Sequence, residues 1–206
     1  MTAPSQAPRT IRRLGSPAAG ALADLAAIFD DLRSTLLCCE HLLKALALPE
    51  PDPVLVEALW TTALLSYSRC FAPGGRGMGL TEDDLAQTEL QGEVVGWHRM
   101  VRELTKHYTD PVVNPRESFA VGVAVADGAA QGVAISSTRQ ALPDEQTVRQ
   151  TGAVAYALSR LVDRRIGEHQ ATVLEGAQAL GAAELETLDE IELTGVETAD
   201  AHEESS

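Results

Sequence analysis

Val101-Arg102-Glu103-Leu104-Thr105-Lys106-His107-Tyr108-Thr109-Asp110-Pro111 decides how the rest of the chain reads. Val101 and Leu104 continue an apolar series at helical spacing from Leu90, Val94 and Trp97. Lys106 and His107 put positive charge in what becomes a last helical turn, where it complements the free carbonyls. Pro111 then stops the helix. A long helix ends here, directly before the one clear β-prone stretch of the sequence.

That stretch is Phe119-Ala-Val-Gly-Val-Ala-Val-Ala126, followed by Asp127-Gly128 and then Gly132-Val-Ala-Ile-Ser136. Two β-prone runs around a short Gly-containing loop predict one hairpin at about 119–136. A lone two-stranded hairpin is marginal in water. It must therefore lie on the helices or pair with another copy of itself.

Working outward, Ser16-Pro17 and Asp52-Pro53 each place an N-cap before a proline at the first helical position. They start helices at about 17–47 and 53–71. Leu22, Leu25, Phe29, Leu32, Leu36, Leu43 and Leu46 stripe the first helix, and Leu55, Leu59, Leu64, Tyr67 and Trp60 the second. Thr81-Glu-Asp-Asp84 is a capping box that opens a third helix, expected to run unbroken from about 82 to 107. The glycines of Ala72–Gly79 have no preceding strand and no following Lys-Ser or Lys-Thr, so they read as a connector and not a phosphate loop. Leu142-Pro143-Asp144 starts a fourth helix, expected to reach about 181 along Val148, Ala155, Leu158, Val162, Ile166 and Leu174.

The expected fold is mainly α: an antiparallel bundle of about four long helices at 17–181, with one β-hairpin between helices three and four. Residues 1–16 read as a disordered basic tail and 182–206 as a disordered acidic one. The net charge is −14, and residues 166–206 hold eleven acids without a Lys or Arg. This balance argues against a broad duplex-binding surface. Three cysteines, Cys38, Cys39 and Cys70, two of them adjacent, do not make a disulfide framework and fit a reducing cytoplasm. No apolar run approaches the ~18 residues that suggest a membrane span.

Arg102 and His107 fit the loose pattern of Arg, four to six residues, His. In that motif and in its place at the end of a long helix, the chain resembles the HEPN superfamily of helical bundles. Lys106-His107-Tyr108-Thr109-Asp110, with Val113-Asn114-Pro115 beyond, is also similar to a group of HEPN-like bundles carrying Lys-His-x-Ala-His before Val-Asn. The resemblance implies paired protomers that cleave RNA without a metal. His107 would then be the general acid/base, and Arg102 would stabilise the charged phosphorane. The sequence departs from the family in two places: Glu103 follows the Arg, and Asp110 stands where the second His belongs. The plain alternative is a capped helix end.

Lys106, Arg160 and Arg164 are candidate contacts for RNA or another anion; Asp163 among the latter two makes a solvated, ion-paired face the competing reading. Cys38, His41 and Cys70 could share a metal, yet no complete ligand motif is present, and buried packing of the thiols is the simpler expectation. Glu93 and His98 look like an exposed polar edge beside a buried Trp97. No cofactor and no metal are expected.

The sequence thus points to a non-catalytic helical binding or assembly protein, acting through bundle faces and the acidic tail. The alternative is a HEPN-like metal-independent ribonuclease or RNA-binding protein of a defence or toxin–antitoxin system. A homo-oligomer is expected in either case, with a protein partner on the acidic tail or RNA as further candidates, and no membrane.

Overall fold

The computed structural model describes residues 10–72, 77–110, 112, 117–139 and 141–191. Three side-chain caps set the frame. Ser16 accepts from the amide of Ala19 (3.2 Å) and starts α1, Pro17–Leu46. Asp52 accepts from Val54 (2.9 Å) and starts α2, Pro53–Arg69. Asp144 accepts from Thr147 (2.7 Å) and starts α5, Glu145–Gln178. Between them lie α3 (Glu82–Ala86), α4 (Val94–Thr109), β1 (Glu117–Ala126) and β2 (Ala129–Arg139), and α6 (Ala182–Thr187) follows α5.

The fold is mainly helical with one antiparallel two-stranded hairpin, as the pattern predicts. The expectation of four long helices does not hold in detail, because six helices occur among the described residues. The third expected helix is broken into α3 and α4. The capping box at Thr81 and Asp84 forms, but α3 already ends at Ala86, and Gly92, two residues ahead of α4, adopts φ +94°, a left-handed conformation that no continuous helix holds and that side-chain-bearing residues avoid.

α1 is the centre of the core, packed against α5 on one side and α2 on another, while α4 packs against α2. Leu25, Ile28, Leu32, Cys39 and Leu42 of α1 meet Val56, Trp60, Leu64 and Tyr67 of α2, Val101 of α4, and Val148, Leu158 and Val162 of α5. Burying each such Val, Leu or Ile contributes roughly 1.5–3 kcal/mol. The α1 seam keeps Leu25 and Leu32 of the leucine stripe read from the sequence and departs from the rest of it. Thr35, Cys39 and Ala45 belong to the seam, whereas Phe29, Leu36, Leu43 and Leu46 flank it. Cys39 sits where α1 and α5 approach closely: a Cβ built on Gly152 would lie 3.5 Å from the Cβ of Cys39.

The loop from α2 to α3 is tied down by one carboxylate. Asp24 accepts from the amides of Gly77 (2.7 Å) and Met78 (3.0 Å), and the amide of Leu80 donates to the Cys70 carbonyl (2.8 Å).

Part of the expected disordered tails is ordered. Arg12 and Glu190 form an antiparallel bridge, with the Arg13 amide donating to Asp189 (2.7 Å) and the Ile191 amide to Ile11 (2.8 Å). Arg12 also donates from Nη1 to the Leu188 carbonyl (2.9 Å). A basic segment thus meets an acidic one, and the backbone ladder adds to the charge attraction. Residues 1–9 and 192–206 lie outside the described residues.

The hairpin turns at Asp127 (φ 53°) and Gly128 (φ 76°). Two successive positive φ values suit the tight turn that favours Asp-Gly and matches the right-handed twist of the strands. From that turn the ladder runs further than the β-prone residues alone suggest, to the pair Glu117 and Arg139. A register shift between Ala124 and Val125 leaves Gln131 of β2 without a partner residue. Every residue from Ser118 to Thr138 is exposed, and neither strand packs against a helix to any substantial extent. Of the two arrangements expected for the hairpin, lying on the helices is not the one observed.

Candidate functional site

α4 carries His98, Arg102, Lys106 and His107 of the residues that the sequence singles out, and Val101 holds it on the core. Arg102 and His107 are both half-buried and both within the helix. Five residues of an α-helix turn through 500°, which sets their side chains about 140° apart and about 7.5 Å along the axis. Arg102 lies on the side of Tyr67, His98 and Glu82, on each of which its charge bears. Within one protomer, the two residues of the motif are not brought to one face.

Lys106 binds Glu103 across one helical turn (2.6 Å), and the pairing holds the Glu103 carboxyl below its ordinary range. The helix ends with the Asp110 amide donating to Lys106 (2.8 Å) and the Asp110 carboxylate accepting from Val112 (2.9 Å). Lys106 and His107 stand in the last turn, where the Lys106 charge complements the helix dipole. Pro111 and the Val113-Asn114-Pro115 part of the motif lie outside the described residues.

Arg160 and Arg164 are exposed on α5 and form no ion pair among the described residues. α5 packs on α1 and α3, and α4 packs on α2 and α3, so Lys106 and these two arginines share no substantial packing face. Their neighbour Arg165 differs. It pairs with the buried Asp84, which also accepts from the Thr81 amide (2.7 Å) and hydroxyl (3.2 Å). This carboxylate caps α3 and ties it to α5.

The chemistry on the inner face of α4 was not expected from the sequence. His98 is buried, not part of an exposed edge, while Glu93 is exposed and Trp97 partly buried. The Tyr67 hydroxyl and His98 Nδ1 are 2.9 Å apart, and the Phe71 ring packs tilted against the imidazole with the ring centres 4.2 Å apart. Burial, followed by the Arg102 charge, pushes the His98 pKa down to about 4, and burial pushes the Tyr67 phenol up. One helical stretch further on, Ser68 and Thr105 share a hydroxyl contact of 2.8 Å. These pairs form a polar seam between α2 and α4. Positions 94, 98, 101 and 105 carry the spacing of a buried stripe; its signal is masked because two of the four are His and Thr.

Two of the three thiols, Cys39 and Cys70, are buried as the packing expectation has it, while Cys38 is half-buried. Cys39 abuts Gly152 of α5, and burial, then the neighbouring Cys38, pushes its pKa up to about 12. The Cys70 thiol donates to the Ser66 carbonyl (3.4 Å) and the Ile28 carbonyl (3.8 Å). Glu40 is engaged by Lys44 (2.6 Å), and His41 is exposed. No group of three or more His, Cys, Asp or Glu in a metal-holding arrangement occurs among the described residues. A shallow depression on α5, lined by Glu145, Gln146, Arg149, Gln150 and Ala153, takes none of its lining from α4.

No helix among the described residues is long and apolar enough to cross a membrane. Set beside family models, curated proteins and solved structures, the chain finds no match in any of the three.

Proposed function

We propose that the chain is a non-catalytic helical binding and assembly protein of a reducing cytoplasm, whose main contact element is the exposed hairpin. The observation that carries this reading is the exposure of Phe119, Val121, Val123, Val125, Val133 and Ile135, between 59% and 77% each. Large apolar side chains gathered on one projecting element mark an interaction surface. Other bundle faces and the acidic stretch beyond residue 191 are further contacts for a protein partner.

The α4 geometry supports the non-catalytic reading. General acid/base catalysis needs His107 and its phosphate-stabilising partner within reach of the same reacting atoms, and Arg102 is turned away from it. Lys106 is engaged by Glu103, and the net charge of −14 disfavours RNA.

The test is cleavage of total RNA in EDTA by the wild-type chain and by His107→Ala, with folding checked by circular dichroism. Neither protein is expected to cut. Cleavage by the wild type that is lost in His107→Ala would make the chain a HEPN-type ribonuclease working across two protomers, and would overturn the reading.

A further inference from the structure

The two faces of the hairpin are chemically unlike. Side chains alternate across a strand, and the register pairs Phe119 with Ser137, Val121 with Ile135 and Val123 with Val133. Those residues and Val125 make one broad, branched, apolar face. The opposite face is small: Ala120 pairs with Ser136, Gly122 with Ala134 and Ala124 with Gly132. Between Ser118 and Thr138 the only charge is Asp127, at the tip.

From this we infer that the broad face is covered by the same face of a second copy, the two hairpins stacking head to tail as a four-stranded β-sandwich. The inference rests on the proposed assembly function and names its partner. Four observations favour a second copy. First, no helix among the described residues covers the strands to any substantial extent, yet two strands alone are marginal and gain stability by packing.

Second, each chain carries a net charge of −14, while the strands, with Glu117 and Arg139 paired at their far end, carry no net charge. Head-to-tail stacking of strands about 33 Å long sets the two acidic bundles at opposite ends, several Debye lengths of about 8 Å apart. Third, the face is uniform in its branched side chains and offers no charge to specify an unlike partner. A two-fold operation brings it onto a surface of its own shape, as in isologous dimers.

Fourth, the area suits a reversible dimer. A face about 33 Å by about 10 Å covers about 330 Å² in projection and buries on the order of 300–500 Å² of accessible surface per copy, below the ~800 Å² per partner of a standard interface. A weak, reversible dimer is therefore expected. A bilayer is a poor cover for one hairpin, because both strand edges would leave backbone groups unsatisfied in hydrocarbon.

The experiment is sedimentation velocity on the full chain from low to high micromolar loading. It compares wild type with Val123→Lys on the broad face and Ala124→Lys on the small face, each checked for helical content. The expected result is a concentration-dependent monomer–dimer equilibrium for wild type and Ala124→Lys, with Kd raised roughly a hundredfold or more in Val123→Lys.

A wild type that stays monomeric overturns the inference, as does a dimer that persists in Val123→Lys. Equal loss in both variants also overturns it, since the small face would then be engaged. A monomer that floats with phosphatidylcholine vesicles gives the face to lipid and overturns it too. None of these outcomes bears on RNA cleavage, so the second copy can fail while the binding function stands.

Discussion

The Tyr67 hydroxyl lies 2.9 Å from Nδ1 of His98, and both residues are 1% exposed. This contact fixes α4 on α2 through a neutral imidazole. In the folded chain His98 has a pKa of about 4 against 6.5 for the ordinary group. Below the unfolded value the unfolded chain takes up the proton more readily than the folded one, so stability falls as the pH drops. The expected loss runs from about pH 6.5 to about pH 4 and reaches about 3 kcal/mol. Urea unfolding at stepped pH measures it, and His98→Leu should flatten the profile over that window.

Tyr67→Phe leaves the imidazole nitrogen buried without its partner, at a cost of about 1–3 kcal/mol. Adding His98→Leu removes the second polar group and should recover part of that loss. Denaturation midpoints of the two single variants and the double variant give the coupling.

Arg165 and Asp84 pair across α5 and α3, but the Arg side chain keeps 25% of its exposure against 6% for the Asp. Breaking the pair is therefore unequal. Arg165→Leu strands the more buried charge and should cost about 3 kcal/mol or more, whereas Asp84→Asn removes that charge, keeps an oxygen to cap Thr81 and leaves an arginine that can turn to water. Thermal unfolding should rank Arg165→Leu as the less stable of the two.

Two glycines should respond with opposite sign. Gly167 lies within α5 with nothing within 4 Å of an added Cβ, so Gly167→Ala should stabilise by about 0.5–1 kcal/mol. Gly92 also has open space but sits at φ +94°, and Gly92→Ala should destabilise by about 1 kcal/mol or more. A shift of Tm in the same direction for both would contradict the assigned backbone.

What the sequence made legible follows from local rules. Ser16, Asp52 and the Thr81–Asp84 box mark helix starts because a capping side chain acts within three residues of itself. The hairpin was readable because Asp127-Gly128 fits one tight turn. The break between α3 and α4 was not, since an apolar period continues across Gly92 and only the backbone reveals its positive φ. The burial of His98 was hidden because imidazole is usually placed at the surface by its polarity, and its partner Tyr67 is 31 residues away. The Arg102–His107 motif was visible as spacing alone. Its angular separation became a fact only when α4 was found to run through His107 to Thr109.

The clasp of Ile11–Arg13 on Asp189–Ile191 makes the described chain a closed circuit. A short peptide joining Ile11 to Ile191, which are already hydrogen-bonded through their backbones, would complete a ring, and the ring could be reopened at Asp127-Gly128, where the side chains on both strands face solvent. Such a permuted chain would carry its new ends at the hairpin tip and keep every helix in place. The bundle then depends on which elements touch and very little on the order in which they are threaded.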